Sequence, residues 1–145
     1  YHIPQHINFN YNLIHKNYNL FDLLSNIKDK KIIFTNGTKS HAIHTLNLIN
    51  IHSCFDVNDI YGRYETGFKP SLKSYNEIIR VNNIKDTDTI IFFEDTIENL
   101  IVAKKKYNWI TVDITGKYYN NESVDFSFNN IEQSLQFFIN CLNII

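Results

Sequence analysis

The stretch "TIIFFED", residues 89 to 95, constrains this chain more than any other. Ile90, Ile91, Phe92 and Phe93 follow one another without a polar break. An unbroken apolar run of β-branched and aromatic residues suits a strand covered on both faces, as inside a parallel sheet. The run then stops on two adjacent acids, Glu94 and Asp95. Paired carboxylates at the end of a buried strand repel each other and are costly without a cation. The fold must therefore bury this strand while giving its carboxyl end something to do.

The neighbouring segments alternate with it. Leu20, Leu23, Leu24 and Ile27 share a helical face, and the strand "KIIFTN", residues 31 to 36, follows. Thr38 or Ser40 can cap a helix to about Asn50 with Ala42, Ile43, Leu46 and Ile49 inward. A short strand around 57–61 leads to Pro70 and Ser71, which open a helix placing Leu72, Tyr75, Ile79 and Asn82 on one side, beside Ile78. After "TIIFFED", Thr96 starts a helix through Ile97, Leu100, Ile101 and Lys104, and "WITVDI", residues 109 to 114, is a further strand. Asn129 with Glu132 resembles a capping box for a last helix carrying Ile131, Leu135, Phe138 and Leu142. This alternation predicts right-handed crossovers and an open parallel α/β sheet flanked by helices. Ligands gather beyond the carboxyl ends of such strands, where Thr35, Asn36, Glu94, Asp95 and Asp113 fall.

Composition removes several function classes. Lys plus Arg, 14, nearly cancels Asp plus Glu, 15, so the charge footprint of a nucleic-acid binder is missing. An apolar fraction of 43% over 145 residues supports one packed domain. No apolar run approaches the roughly 18 residues of a membrane span. Cys54 and Cys141 lie far apart without metal-type spacing, which fits a reduced, cytoplasmic setting. Residues 1 to 17 are polar and aromatic and read as a tail or a remnant of another module, with the α/β core over 18–145. Their "YHIPQHINFN" start has neither the basic nor the apolar region of a signal peptide. The chain contains no methionine, and the expectation is that it starts inside a longer protein.

The strand ends carry recognisable chemistry. Thr35-Asn36-Gly37 can be an ordinary turn, since Asn-Gly favours positive φ and a hydroxyl satisfies backbone amides. With a helix following, the same N–H groups could instead cradle a phosphate, the Thr hydroxyl adding a bond. Lys69, ahead of Pro70, is either a solvated charge or an ammonium aimed at a phosphoryl group. Asp95 or Thr96 can simply cap the next helix, or the two acids can hold Mg²⁺ together with a substrate phosphate, Asn99 orienting them or a bound water.

A Thr closing one strand, a later Lys-Pro and an acidic pair closing another strand resemble motifs two, three and four of the haloacid dehalogenase superfamily. "KIIFTNGTKSHAIHTLNLINIHSCFD", "FKPSLKSYNEII", "TIIFFEDTIENLIVAKK" and "WITVDI" look like its pyrimidine 5'-nucleotidase-like branch. The resemblance covers roughly Leu20 to Leu135. It implies a Rossmann-like parallel sheet and Mg²⁺-dependent hydrolysis of a small phosphate ester, such as a nucleoside monophosphate, through an aspartyl-phosphate. Thr35 would bond the phosphoryl oxygens with Asn36 in support, and Lys69 would neutralise nucleophile and phosphate. Asp95 would hold Mg²⁺, with Glu94 its weaker partner. Gly37, His41 and Asn99 would line the substrate side.

The superfamily's first motif, Asp-x-Asp before Thr35, is missing from residues 1 to 34, and with it the central strand and the nucleophile. "VDIT", with Asp113 and Thr115, follows the metal motif and lacks the second acid, so it is not the substitute. The expectation is that the missing strand belongs to an N-terminal part of the same protein, residues 1 to 17 ending its helical cap. The alternative is a non-catalytic, superfamily-like module. A response-regulator receiver uses similar residues in a different order, and a dehalogenase of this fold would not need the acidic pair. His41 and His44 share a helix, but nothing nearby completes a zinc site.

Overall fold

The computed structural model describes residues 18–142. The expectations for residues 1 to 17 lie outside the described residues. Helix α1 is Tyr18–Ser25, strand β1 Ile33–Phe34, helix α2 Lys39–Leu48 and strand β2 Ile60–Tyr61. A one-turn helix α3, Arg63–Thr66, precedes α4, Leu72–Val81. Then come β3 Ile91–Glu94, α5 Ile97–Tyr107, β4 Ile110–Asp113, β5 Phe126–Ser127 and α6 Ile131–Leu142. This is the α/β alternation expected, with parallel sheets flanked by helices.

The strands form two parallel sheets. β1 pairs with β2, Ile33 opposite Ile60, and β3 pairs with β4, Ile91 opposite Ile110 through Glu94 opposite Asp113. β5 adds to the far side of β4 in parallel, Val112 opposite Phe126. Of the expected order, 109–114 and 89–94, then a gap or replacement, then 31–36 and 57–61, the pairing gives the neighbours 109–114 beside 89–94 and 31–36 beside 57–61. No ladder joins β1 to β3 among the described residues. Regular strand in 31–36 covers two residues, the length of its register with β2. Residues 57 to 59 form a 3-10 turn instead of strand, started where the Asp56 carboxylate accepts from Asn58 N–H at 2.9 Å. β5 was not anticipated; two residues of edge strand leave no periodic signal.

Strand alternation sorts the apolar residues into two cores, one per face. Ile33, Ile60 and Val112 join Leu20, Leu23 and Leu24 of α1, Leu46 of α2 and Leu135 and Phe138 of α6. Phe34 and Phe92 face the other way, onto Tyr75 and Ile78 of α4 and Leu100 and Ala103 of α5, closed by Trp109. Rings meet edge-on there, Phe34 to Tyr75 at 5.4 Å and Phe92 to Trp109 at 5.5 Å, a favoured arrangement of quadrupoles. Phe93, on the opposite side of β3, touches Phe138 at 5.6 Å, so both faces of "TIIFFED" are covered.

Three helix details differ from expectation. α4 buries Ser74, Tyr75 and Ile78, while Leu72 is 45% exposed, because Tyr75 turns the inward stripe toward the aromatic cluster. Leu142 likewise stays exposed, and α6 buries Ser134 and Ile139 instead. The cap of α6 sits one residue later than Asn129: Asn130 Oδ1 accepts from Gln133 N–H at 2.9 Å, and Gln133 Oε1 accepts from Asn129 N–H at 3.2 Å. α2 follows expectation, Thr38 Oγ1 capping it by accepting from His41 N–H at 3.1 Å.

Candidate active site

The carboxyl ends of β1 and β3 point the same way and meet at Lys69. Alternation puts Phe34, Phe92 and Glu94 on one face, and the lysine stem arrives over that face from the loop before α4. Its ammonium lies 4.8 Å from the Phe34 ring centre and 5.6 Å from that of Phe92, distances at which a cation is attracted to the ring face. From there it donates to the Phe34 carbonyl and to Glu94 Oε2, both at 2.7 Å. Both charged side chains are fully buried, at 0% exposure. The ammonium thus ties the tip of β1 to the tip of β3, which no backbone ladder does among the described residues.

Glu94 is bonded through both oxygens. Its Oε1 accepts from the N–H groups of Asp95 and Thr96, at 3.1 and 3.2 Å. Those donors are among the first N–H groups of the turn into α5, which have no partner within the helix. Glu94 therefore both pairs with the lysine and caps the turn. Asp95 comes after the strand has ended and is also buried, at 8% exposure. Burial first, and then the adjoining Glu94 carboxylate, push the Asp95 carboxyl up to about 7, against the Thr96 hydroxyl bond that lowers it. Asp95 is thus poised between its charged and neutral forms near neutrality.

Thr35 is buried, and its hydroxyl oxygen accepts from Gly37 N–H at 3.0 Å, which fixes the side chain within the turn. Asn36 turns its carboxamide onto the Lys69 backbone, accepting from Lys69 N–H at 2.8 Å and donating to Lys69 O at 3.1 Å. Gly37 O accepts from Arg63 N–H at 2.9 Å. Asn99, one turn into α5, is 3% exposed, and its backbone carbonyl accepts from the Tyr75 hydroxyl at 2.7 Å. His41 is exposed in the first turn of α2. Thr35, Asn36, Gly37, Lys69, Glu94 and Asp95 therefore belong to one connected cluster, with Asn99 a turn behind the acids; His41 lies at its margin.

Asp113 ends β4 but is spoken for. Its carboxylate accepts from Thr115 N–H at 2.8 Å, Thr115 Oγ1–H at 2.6 Å, Tyr118 N–H at 2.9 Å and Ser127 Oγ–H at 2.8 Å. It folds the 114–118 loop and anchors β5. Sequence reasoning gave no hint of the Lys69–Glu94 pair or of the Asn36 contact, since the partners stand 25 and 33 residues apart.

A metal has a plausible chemical home here. Hard carboxylate oxygens suit Mg²⁺, which is commonly held by one or two carboxylates together with waters and a phosphate. A cation beside Asp95 would also relieve the repulsion from Glu94 that favours the proton. Among the described residues, no three His, Cys, Asp or Glu side chains are grouped to hold a metal by themselves. Asp95 fits as one donor, with the others to come from water, substrate or beyond the described residues. No described helix is long and apolar enough to cross a membrane. The family described as haloacid dehalogenase-like hydrolase matches residues 4–110, well over half of the chain, and the chain belongs to that family.

Proposed function

We propose that this chain carries the phosphate-facing part of a Mg²⁺-dependent phosphomonoester hydrolase acting on a small phosphate ester, a nucleoside monophosphate in the reading carried by the resemblance. The Lys69 ammonium supports this most directly, fully buried at the meeting point of two strand tips. A buried ion pair is a poor way to gain stability, and shifted or buried charges gather where chemistry is done.

The contacts support a role for each residue. Thr35, held by Gly37, presents a hydroxyl at the β1 tip to bond a phosphoryl oxygen. Lys69 lowers the charge repulsion between an attacking carboxylate and the phosphoryl group, and Glu94 keeps it in place. Asp95 would hold Mg²⁺, which when bound supplies further positive charge against the phosphoryl oxygens. An attacking carboxylate would enter this cluster from outside the residues named here.

The test uses the product of the complete reading frame and measures phosphate release from nucleoside monophosphates and p-nitrophenyl phosphate, with Mg²⁺ or with EDTA. Turnover should require Mg²⁺ and fall about 10²–10³-fold in Lys69→Met, the scale of losing one preorganised charge-stabilising donor. Turnover indifferent to both EDTA and Lys69→Met would sink the proposal. Absence of any turnover would leave the non-catalytic module standing instead.

A further inference from the structure

We propose that Asn36 is a positioning residue for Lys69: its carboxamide clasps the Lys69 backbone and thereby sets where the buried ammonium reaches. Oδ1 accepts from Lys69 N–H at 2.8 Å while Nδ2 donates to Lys69 O at 3.1 Å. One side chain thus satisfies both backbone groups of a residue 33 positions away, as a neighbouring strand would do. The carboxamide oxygen and one N–H are committed to this clasp.

The surroundings make the clasp consequential. A lysine side chain has four flexible bonds, and its ammonium is placed only if its backbone is placed. Here the ammonium must reach the Phe34 carbonyl and Glu94 Oε2 together, both at 2.7 Å. Asn36 lies two residues beyond Phe34 on the same turn. The clasp therefore fixes the lysine backbone relative to one of the two groups its ammonium must bond. A second tie acts in the same sense. Arg63 N–H donates to Gly37 O at 2.9 Å, and Gly62 packs so closely that a Cβ there would lie 2.5 Å from Lys39 N. The loops after β1 and β2 consequently move as one piece, carrying Thr35 and Lys69 together.

The inference rests on the phosphatase reading only for the purpose of Lys69; the clasp itself can be read without turnover. We would label lysine side chains with ¹⁵N in the present chain and follow Nζ hydrogen exchange by NMR, identifying the Lys69 signal by its loss in Lys69→Met. The Val112 amide, buried at 0% exposure in the other sheet, reports global opening. In Asn36→Ala, Lys69 exchange should rise about tenfold or more while Val112 changes less than about twofold. Asn36→Asp keeps an acceptor and loses the donor, so its rise should be smaller. Equal acceleration at Lys69 and Val112 would mean that Asn36 only contributes to global stability. An unchanged Lys69 rate in either variant would overturn the clasp. Should Asn36→Ala not fold, Asn36→Asp makes the same comparison against Val112. Failure here leaves the phosphatase assay untouched, and failure of that assay leaves this measurement intact.

Discussion

Lys69 and Glu94 should behave as one energetic unit. Both side chains are at 0% exposure and their charged atoms stand 2.7 Å apart. Glu94→Gln keeps an oxygen for the Asp95 and Thr96 N–H groups but turns an amide onto the ammonium. The lysine then faces an amide where the charged Glu94 Oε2 stood at 2.7 Å. Breaking a buried pair in this way costs about 3–5 kcal/mol. Lys69→Met fills the channel along Phe34 and Phe92 with a stem of similar length, leaving a carboxylate that still accepts two N–H bonds, so the loss should be smaller, about 2–4 kcal/mol. The double variant buries no charge at this place and should sit within about 2 kcal/mol of the parent. The coupling energy is then about 3 kcal/mol or more, against a total stability of about 5–15 kcal/mol for a domain. Urea unfolding followed by far-UV circular dichroism at pH 7 measures all four proteins, provided the slopes agree. Losses that simply add would show that water screens the pair, and the argument from burial would fail.

Three further outcomes follow from separate contacts. Asp95 binds its proton more tightly folded than unfolded, with its carboxyl raised from 3.8 to about 7, so its contribution is full below pH 4 and is lost as pH rises through 7. Urea midpoints between pH 4 and pH 8 should therefore show Asp95→Asn gaining on the parent by about 2–4 kcal/mol across that window, and a gap that does not change with pH refutes the shift. Tyr75→Phe keeps the ring packing but strips the Asn99 carbonyl of a 2.7 Å bond, which should cost about 1–2 kcal/mol in the same unfolding assay. Gly62 has φ of −99°, open to any residue, so Gly62→Ala tests the close approach alone: a Cβ 2.5 Å from Lys39 N and 2.8 Å from Gly37 O should cost about 1–3 kcal/mol.

Much of the architecture could be read from period and punctuation. The run at 89–95 declared a strand covered on both faces, and Phe92 and Phe93 do pack in opposite directions. Helix existence was equally plain, whereas helix facing was not. Leu72 and Leu142 look inward by spacing yet are exposed, because Tyr75 and the Phe93–Phe138 contact decide which stripe fits the cavity available. β5 escaped because its pairing is decided by Asp113 and Ser127 fourteen residues apart, not by any local pattern. At the site, Thr35, Lys69, Glu94 and Asp95 could be picked out as strand-end chemistry in a recognisable order. What each touches could not, since the letter of an acid does not say which group it meets across the fold.

The two acids of the pair meet different groups. Strand geometry sends Glu94 to the Phe34 and Phe92 side, where Lys69 already lies, and releases Asp95 only after the chain has turned. With Oε2 on the ammonium and Oε1 on two backbone N–H groups, Glu94 is neutralised and held within the fold. Asp95 has a neutral hydroxyl bond at 3.2 Å and a carboxylate neighbour that raises its proton affinity. In the proposed reading a cation at these tips would be held by Asp95, which leaves the strand only where the chain turns. In that reading Glu94 would act at one remove, by holding the Lys69 ammonium at the strand tips. One strand end thus supplies two neighbouring acids with different surroundings, and the turn between them is what separates those surroundings.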